Sequence, residues 1–370
     1  MGPLSGLKVL ELGSIGPGPF AAMVLSDLGA DVLRVERPGG TALLADAGAD
    51  PVARGRPSVG VDLKTDDGRA DVLRMAAAAD ALIEGNRPGV LERLGLGPEV
   101  LLARNPRLVV GRMTGYGQDG PLARVPGHDV NYLAISGALG AIAREGERPL
   151  FPLNLVGDYG GGGLLLALGI VCGAFEARRS GRGQVVDAAM VDGAALLTTA
   201  IHGLRASGTW RDTPGTNVLD SGAHFYEVYA TNDGGHVAVG AIEPQFYGAL
   251  LEVLGLDPAE TPQWDRGRWP ELKERFAQCF ARRSTEEWRA LLEHADACTT
   301  PVLGLADAPG HPHNAARGTF FERDGVVQPA PAPRFSRTPA DPHRPVPSAE
   351  DVLRRWGVQR APTPQAGSPS

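Results

Sequence analysis

Cysteine is nearly absent: Cys172, Cys279 and Cys298 are the only three in 370 residues, far apart and without a CxxC pair. That excludes a disulfide framework and a thiolate metal cluster, and it suits a reducing cytosol. Aromatic residues make up only 6%, so the core must be built from Leu, Val and Ala packed close to backbone. Lysine is confined to Lys8, Lys64 and Lys273, which leaves arginine as 33 of the 36 basic residues. No basic block interleaved with aromatics occurs and the formal charge is −7, which argues against nucleic acid or an anionic membrane as the main partner. The N-terminus has no charged segment leading into an apolar one, so a signal peptide is not expected and a cytoplasmic location is. The sequence contains no GxxxxGK[ST], HExxH or GxSxG, which removes P-loop, zincin and hydrolase-elbow chemistry. His311 and His313 form the one close histidine pair, but without Cys or acid partners they make a poor metal site.

Glycine and proline are abundant, at 50 and 31 residues, and 43% of the chain is hydrophobic. Apolar material is ample for a large core, and the length allows two domains. The longest uncharged run, Tyr159 to Phe175, opens with four glycines after its first residue. It is shorter than the about 20 apolar residues a membrane span needs, and it reads as a buried helix entered through a glycine-rich loop.

From Leu7 the pattern alternates short β-rich runs with helical ones. Strands are predicted at 7–12, 31–36 and near 58–62, 80–84, 107–113 and 184–187. Helices are predicted after the first strand (Phe20, Val24 and Leu28 share a face, with Gly29 at the C-cap) and at 66–78, 89–104, 163–178 and 188–206. Strand, helix, strand in series implies a parallel sheet with crossover helices. The period then changes: strands Phe225–Ala230 and His236–Ala241 flank the turn Thr231-Asn232-Asp233-Gly234-Gly235, and helices follow near 245–254, 270–282 and 285–294. The expected organisation is α/β: a large parallel-sheet domain over 1–190 completed by 320–360, a linker over 191–221, and a smaller α+β domain over 222–315. The segment 328–347 reads as an irregular return, and 361–370 as a disordered tail.

Five local patterns carry possible chemistry. Gly16-Pro-Gly18-Pro-Phe-Ala21 with Glu36 twenty residues after Gly16 has the outline of a dinucleotide fingerprint. Pro17 and Pro19 remove N–H donors from that loop, however, and a tight turn into a helix explains it better than an NAD site. Arg34 and Arg37 lie beside the end of the second predicted strand, with Arg54, Arg56 and Arg87 on later loops, where guanidinium forks suit a phosphate-bearing ligand, although each alone reads as a surface charge. His128, in Gly127-His-Asp-Val-Asn-Tyr132, is a weak signal taken alone. Asp158 stands at the mouth of Gly160 to Gly163 and is equally a helix cap or a catalytic acid. Glu243 precedes Pro244 at a helix start, where capping is the simpler reading.

Taken in order, many segments match one family. Pro3-Leu-Ser-Gly-Leu-Lys-Val-Leu-Glu-Leu12, Leu28-Gly-Ala-Asp-Val32, Asn86-Arg-Pro-Gly-Val90, Thr114-Gly-Tyr-Gly-Gln118, Gly127-His-Asp-Val-Asn-Tyr132, Gly157-Asp-Tyr-Gly-Gly-Gly162 and Ala241-Ile-Glu-Pro-Gln-Phe246 resemble the family III CoA-transferases (CaiB/BaiF). Within that family they resemble the α-methylacyl-CoA racemase branch. The resemblance implies a Rossmann-like CoA-binding domain and a smaller domain in a homodimer of interlocked chains. It implies an acyl-CoA substrate, no separate cofactor and no metal. The catalytic residues it implies are His128, Asp158 and Glu243, with Arg34, Arg37, Arg54, Arg56, Arg87, Gly157 and Gly160 binding the CoA thioester. Transferases of the family use the aspartate aligned with Asp158 as an acyl-accepting nucleophile and generally lack the histidine. The presence of both His128 and Asp158 therefore favours racemisation, with CoA transfer and non-catalytic CoA binding as alternatives.

Overall fold

The computed structural model describes residues 2–39 and 50–360, so the tail 361–370 lies outside the described residues. The chain divides into two compact units. One comprises residues up to Ser136 together with 152–197 and those from Ala315, and the other comprises 137–151 with 198–314.

The first unit begins with β1 (Lys8–Leu12), α1 (Pro17–Asp27) and β2 (Asp31–Glu36). Gly16, at φ +70°, makes the turn into α1, Pro17 occupies the first helical turn, and Gly29 follows its end at φ +103°. Next come β3 (Ser58–Gly60), α2 (Asp66–Ala78) and β4 (Ala81–Glu84). Thr65 caps α2 by accepting the Gly68 N–H at 3.1 Å. The predicted helix 89–104 is two helices, α3 (Val90–Arg93) and α4 (Pro98–Arg104), because Gly95 turns at φ +70° and Pro98 starts afresh. β5 (Val109–Thr114), α5 (Asp129–Ser136), α6, β6 (Gln184–Ala189) and α7 (Met190–Leu197) complete this stretch. Helix α6 runs over Leu155–Ser180, with a π-helical first part, Leu155–Leu164, passing into regular α-helix from Leu165.

Among the described residues these strands form one six-stranded sheet in the order β3-β2-β1-β4-β5-β6, every pair parallel. Side-chain alternation sends Leu10, Leu12, Leu33, Leu82 and Val110 to one face, beneath α2 and α4. Val9, Val32, Ala81, Ile83 and Val109 go to the other, beneath α1 and α6. The order reverses between β1 and β4, which opens a crevice at the carboxyl ends of those strands. Helix α6 is apolar and long enough to cross a membrane; one face of it packs on the sheet, with Leu166 and Ile170 fully buried, while Leu164, Leu168 and Phe175 are exposed.

In the second unit α8 (Thr199–Ala206) is followed by the antiparallel pair β7 (Tyr226–Ala230) and β8 (His236–Gly240). The predicted turn is in place, with the Thr231 N–H on the Gly235 carbonyl at 3.0 Å. Then come α9 (Pro244–Leu254), α10 (Trp269–Phe280), α11 (Thr285–Leu292) and β9 (Thr299–Pro301), which adds a third strand beside β8. The scarce aromatics are concentrated in this unit's core, where Phe225, Tyr229, Tyr247, Trp269, Phe276, Phe280 and Trp288 pack together. The first unit closes with the hairpin β10 (Phe320–Arg323) and β11 (Val326–Pro329), and with the helix Ala349–Trp356, whose Val352, Leu353 and Trp356 enter its core.

Candidate active site

Asp158 lies in the first turn of α6, beside the loop that follows β1. A Cβ added at Gly16 would stand 3.3 Å from Asp158 Oδ2, so the glycine admits the carboxylate to the crevice mouth. The Asp158 N–H donates to Asp129 Oδ1 at 2.7 Å, and the Asn154 side-chain amide donates to Asp158 Oδ2 at 3.2 Å. Burial is the largest influence on this carboxyl and raises its pKa above the ordinary aspartate value. The Asn154 hydrogen bond opposes the rise, nearby Asp129 adds to it, and His128 opposes it.

His128 is brought to the same place by α5. Its backbone N–H donates to Asn131 Oδ1 at 3.0 Å and its carbonyl accepts the Asn131 N–H at 2.8 Å, which closes the chain around the helix start. The imidazole is exposed and near enough to interact electrostatically with Asp158. Tyr132, one turn on, donates from its hydroxyl to the Gly127 carbonyl. Its ring fills the space that a Cβ at Gly115 or Gly127 would need. Burial first, then the neighbouring Tyr116 and Asp158, push that hydroxyl's pKa up to about 12, so it stays a donor.

Asp129 is the functional neighbour that sequence reasoning missed. It is buried, it holds the Asp158 backbone through Oδ1, and its Oδ2 has no hydrogen-bond partner among the described residues. The signal was its place directly after His128, where an acid reads as a cap. Gly157 belongs to the same arrangement, since a Cβ there would lie 2.4 Å from Asp129 Oδ1.

The expectation that Gly160 to Gly163 form a helix entrance is corrected. The helix begins at Leu155, and the wider π spacing spends N–H groups from Tyr159 onward on carbonyls five residues back, the first on Asn154 at 3.3 Å. These glycines serve close packing instead. A Cβ at Gly161 would lie 2.7 Å from the Ala194 nitrogen of α7, and one at Gly163 would lie 2.9 Å from the Pro17 carbonyl of α1. Before that point the Leu155 N–H goes to the Pro152 carbonyl at 3.4 Å and that of Asp158 to Asp129, which leaves those of Val156 and Gly157 without an acceptor among the described residues.

The arginines separate into two kinds. Arg56 is fully buried, 2.5 Å from Glu11 of β1, and Arg54 binds Asp27 at 2.6 Å and Gln328 at 2.9 Å. Both guanidinium groups are paired inside the protein, unlike those of Arg37 and Arg87. Arg34 lies 2.9 Å from Glu36. Arg37 and Arg87 are exposed on loops at the carboxyl ends of β2 and β4. The Arg87 loop is fixed by Glu84, whose carboxylate accepts the Asn86 N–H at 2.7 Å and Arg112 Nε at 2.8 Å. In the second unit, Glu243 occupies the N-cap of α9 and is exposed, and its carboxylate makes no capping hydrogen bond.

The model of CoA-transferase family III matches residues 4–351. Alpha-methylacyl-CoA racemase of Mus musculus is 47% identical, and that of Homo sapiens 45%, each over 96% of this chain and 94% of the relative. The succinyl-CoA–L-malate CoA-transferase alpha subunit of Chloroflexus aurantiacus is 31% identical over 91% of this chain and 84% of its own length. Among solved structures, a CaiB/BaiF family protein from Brucella suis superposes with a TM-score of 0.81 at 25% identity, covering 96% of this chain and 99% of that one. A fold with the strand order 3-2-1-4-5-6 and a family match over nearly the whole length lead to one conclusion: the chain belongs to CoA-transferase family III.

Proposed function

We propose that this protein is a 2-methylacyl-CoA racemase, interconverting (2R) and (2S) thioesters by 1,1-proton transfer through an enolate. The observation that carries this reading is the convergence of two proton-transfer groups of different type, His128 and Asp158, with the proton affinity of Asp158 raised by burial. A thioester acidifies its α-hydrogen more than a carboxylate does, and inversion needs one base on each face of the planar enolate. His128 takes the proton from one epimer while protonated Asp158 delivers one to the opposite face, and the roles reverse for the other epimer. The resting states differ only in where one proton lies, so the two groups need similar proton affinities. Glu243, supplied by a second copy of the chain, supports the imidazolium. The N–H groups of Val156 and Gly157, in the first turn of α6, stabilise the enolate oxygen.

CoA enters as part of the substrate, and the reaction needs no further cofactor or metal, since the thioester itself activates the α-hydrogen. Arg37 and Arg87, exposed at the crevice, hold its phosphates, with Arg34 beside them. A homodimer is supported by the broad apolar face that α6 and its neighbours turn outward, including Leu164, Leu168, Leu197 and Phe175, the last 74% exposed. The proposed location is cytoplasmic. The names of the mouse and human relatives support racemisation over transfer. The test is incubation of each 2-methylacyl-CoA epimer in D₂O, following deuterium at C2 together with chirality. Exchange with inversion is expected. CoA transfer between carboxylic acids that requires Asp158, with neither epimer exchanging, establishes the transferase instead.

A further inference from the structure

The corner between β8 and α9 is held by buried polar groups that the proton transfers do not use. After Gly240 the chain leaves the sheet: the Ile242 N–H turns back to the Gly240 carbonyl at 3.0 Å, and the Ala241 and Ile242 carbonyls face inward. Gln263, itself 8% exposed, answers both, its Nε2 donating to Ala241 at 3.0 Å and to Ile242 at 2.7 Å. Two hydrogens on one nitrogen meet two successive carbonyls, so the amide's donors are fully used. The Gln263 backbone is held in turn by the Trp269 indole N–H, at 2.9 Å.

The far side of the corner is pinned as well. The Tyr247 N–H closes the first turn of α9 on the Glu243 carbonyl at 3.0 Å, and the Tyr247 hydroxyl donates to the Thr261 carbonyl at 2.9 Å. That hydroxyl also meets Nε2 of the fully buried His224 at 2.7 Å. Since the tyrosine proton goes to Thr261, His224 Nε2 is the donor and its Nδ1 is unprotonated, which agrees with a buried Nδ1 that has no partner. Between these two braces stands the Glu243 carboxylate, exposed and making no hydrogen bond or ion pair with any described residue. Glutamate is not among the favoured N-cap residues, and the rigid corner presents a carboxylate that makes no capping hydrogen bond to its own helix.

We propose that Gln263 is a positioning residue for Glu243, its amide fixing the 241–243 corner so that the carboxylate is presented in one direction. This rests on the reading in which Glu243 supports His128. A displacement of ~1 Å at a catalytic group costs on the order of 100-fold in rate, whereas a brace that serves stability alone leaves the two faces of the reaction equally affected.

The experiment compares Gln263→Met, Glu243→Gln and their combination in the full-length protein, measuring deuterium uptake from each epimer separately. Gln263→Met is expected to slow, by about 10- to 100-fold, exchange of the epimer whose exchange His128→Ala abolishes. KM should stay within about twofold and exchange from the other epimer should be retained. The combined variant is expected to be no slower than Glu243→Gln alone. Equal slowing of both epimers, or additive losses, overturns the proposal. If Glu243→Gln slows the reaction and Gln263→Met does not, the positioning role alone fails. If Glu243→Gln changes nothing, the reading of Glu243 fails and the positioning role with it. Should Gln263→Met not fold, Trp269→Phe, which removes the indole N–H but keeps an aromatic ring in the core, takes its place: selective slowing of the same epimer supports the positioning role, and equal slowing of both overturns it.

Discussion

The backbone N–H of Asp158 donates to Asp129 Oδ1 at 2.7 Å, so the residue after the candidate base holds the candidate acid. Two carboxyl groups meet here with unequal tasks: one anchors backbone and the other faces the crevice. Asp129 also adds to the raised pKa of Asp158, after burial. Asp129→Asn keeps an acceptor for the N–H and removes the charge. The Asp158 pKa should then fall, and the pH limb that reports protonated Asp158 should move to lower pH. Separate pH–rate profiles for the two directions test this, and an unmoved limb counts against the coupling.

The same raised pKa has a consequence for stability. A carboxyl whose folded pKa lies above its unfolded value favours the fold while protonated, and that contribution is lost as pH rises through the folded pKa. Asp158 therefore costs stability at neutral pH. Asp158→Asn is expected to raise the Tm there, and the gain should vanish in acid, below the ordinary aspartate pKa. Thermal melts at a series of pH values decide it.

His128→Ala and Asp158→Ala should each abolish inversion while leaving exchange of one epimer. Loss of a general acid or base costs about 10²- to 10⁴-fold. Deuterium uptake scored with chirality reads both effects in one sample, and inversion persisting in either variant removes that residue from the mechanism.

Arg56 and Arg37 should part company. Arg56→Met leaves the fully buried Glu11 with only Arg34, 3.7 Å away, and should cost up to about 3–5 kcal/mol in urea unfolding, with the loss shrinking in acid as Glu11 takes up a proton. Arg37→Ala, at an exposed position, should leave the Tm unchanged and raise KM for the CoA thioester.

Gly193→Ala tests the packing role of the glycines. Its Cβ would stand 1.8 Å from the Gly161 carbonyl, so α7 must move off the π-helical turn, at a cost of about 1–3 kcal/mol. Chemical denaturation gives the loss. Proton exchange should fall too, because that turn carries Asp158.

The sheet was legible because its residues announce it locally. Short β-rich runs at Lys8–Leu12 and Asp31–Glu36, glycines at the ends of α1, and the Thr231–Gly235 turn each reflect a backbone preference that acts over a few residues. Other elements were not, for equally physical reasons. β9 is three residues long, too short for a period, and α5 is hidden behind a glycine and a histidine. The entrance of α6 was misplaced because π-helical spacing has no pattern that differs from a glycine-rich loop.

The site divides along the same line. By itself the sequence determined which side chains were available, His128, Asp158, Glu243 and the arginines, since motif order over the whole chain specifies a family. Only the tertiary structure decided what they touch. It buried Arg56 against Glu11, because a charge at the end of a central strand must be paired. It set Asp129 beneath Asp158, because α5 and α6 meet though 29 positions separate the two residues. The proton affinity of Asp158 is likewise a product of the fold, since burial and a neighbouring charge exist only once distant segments are packed together.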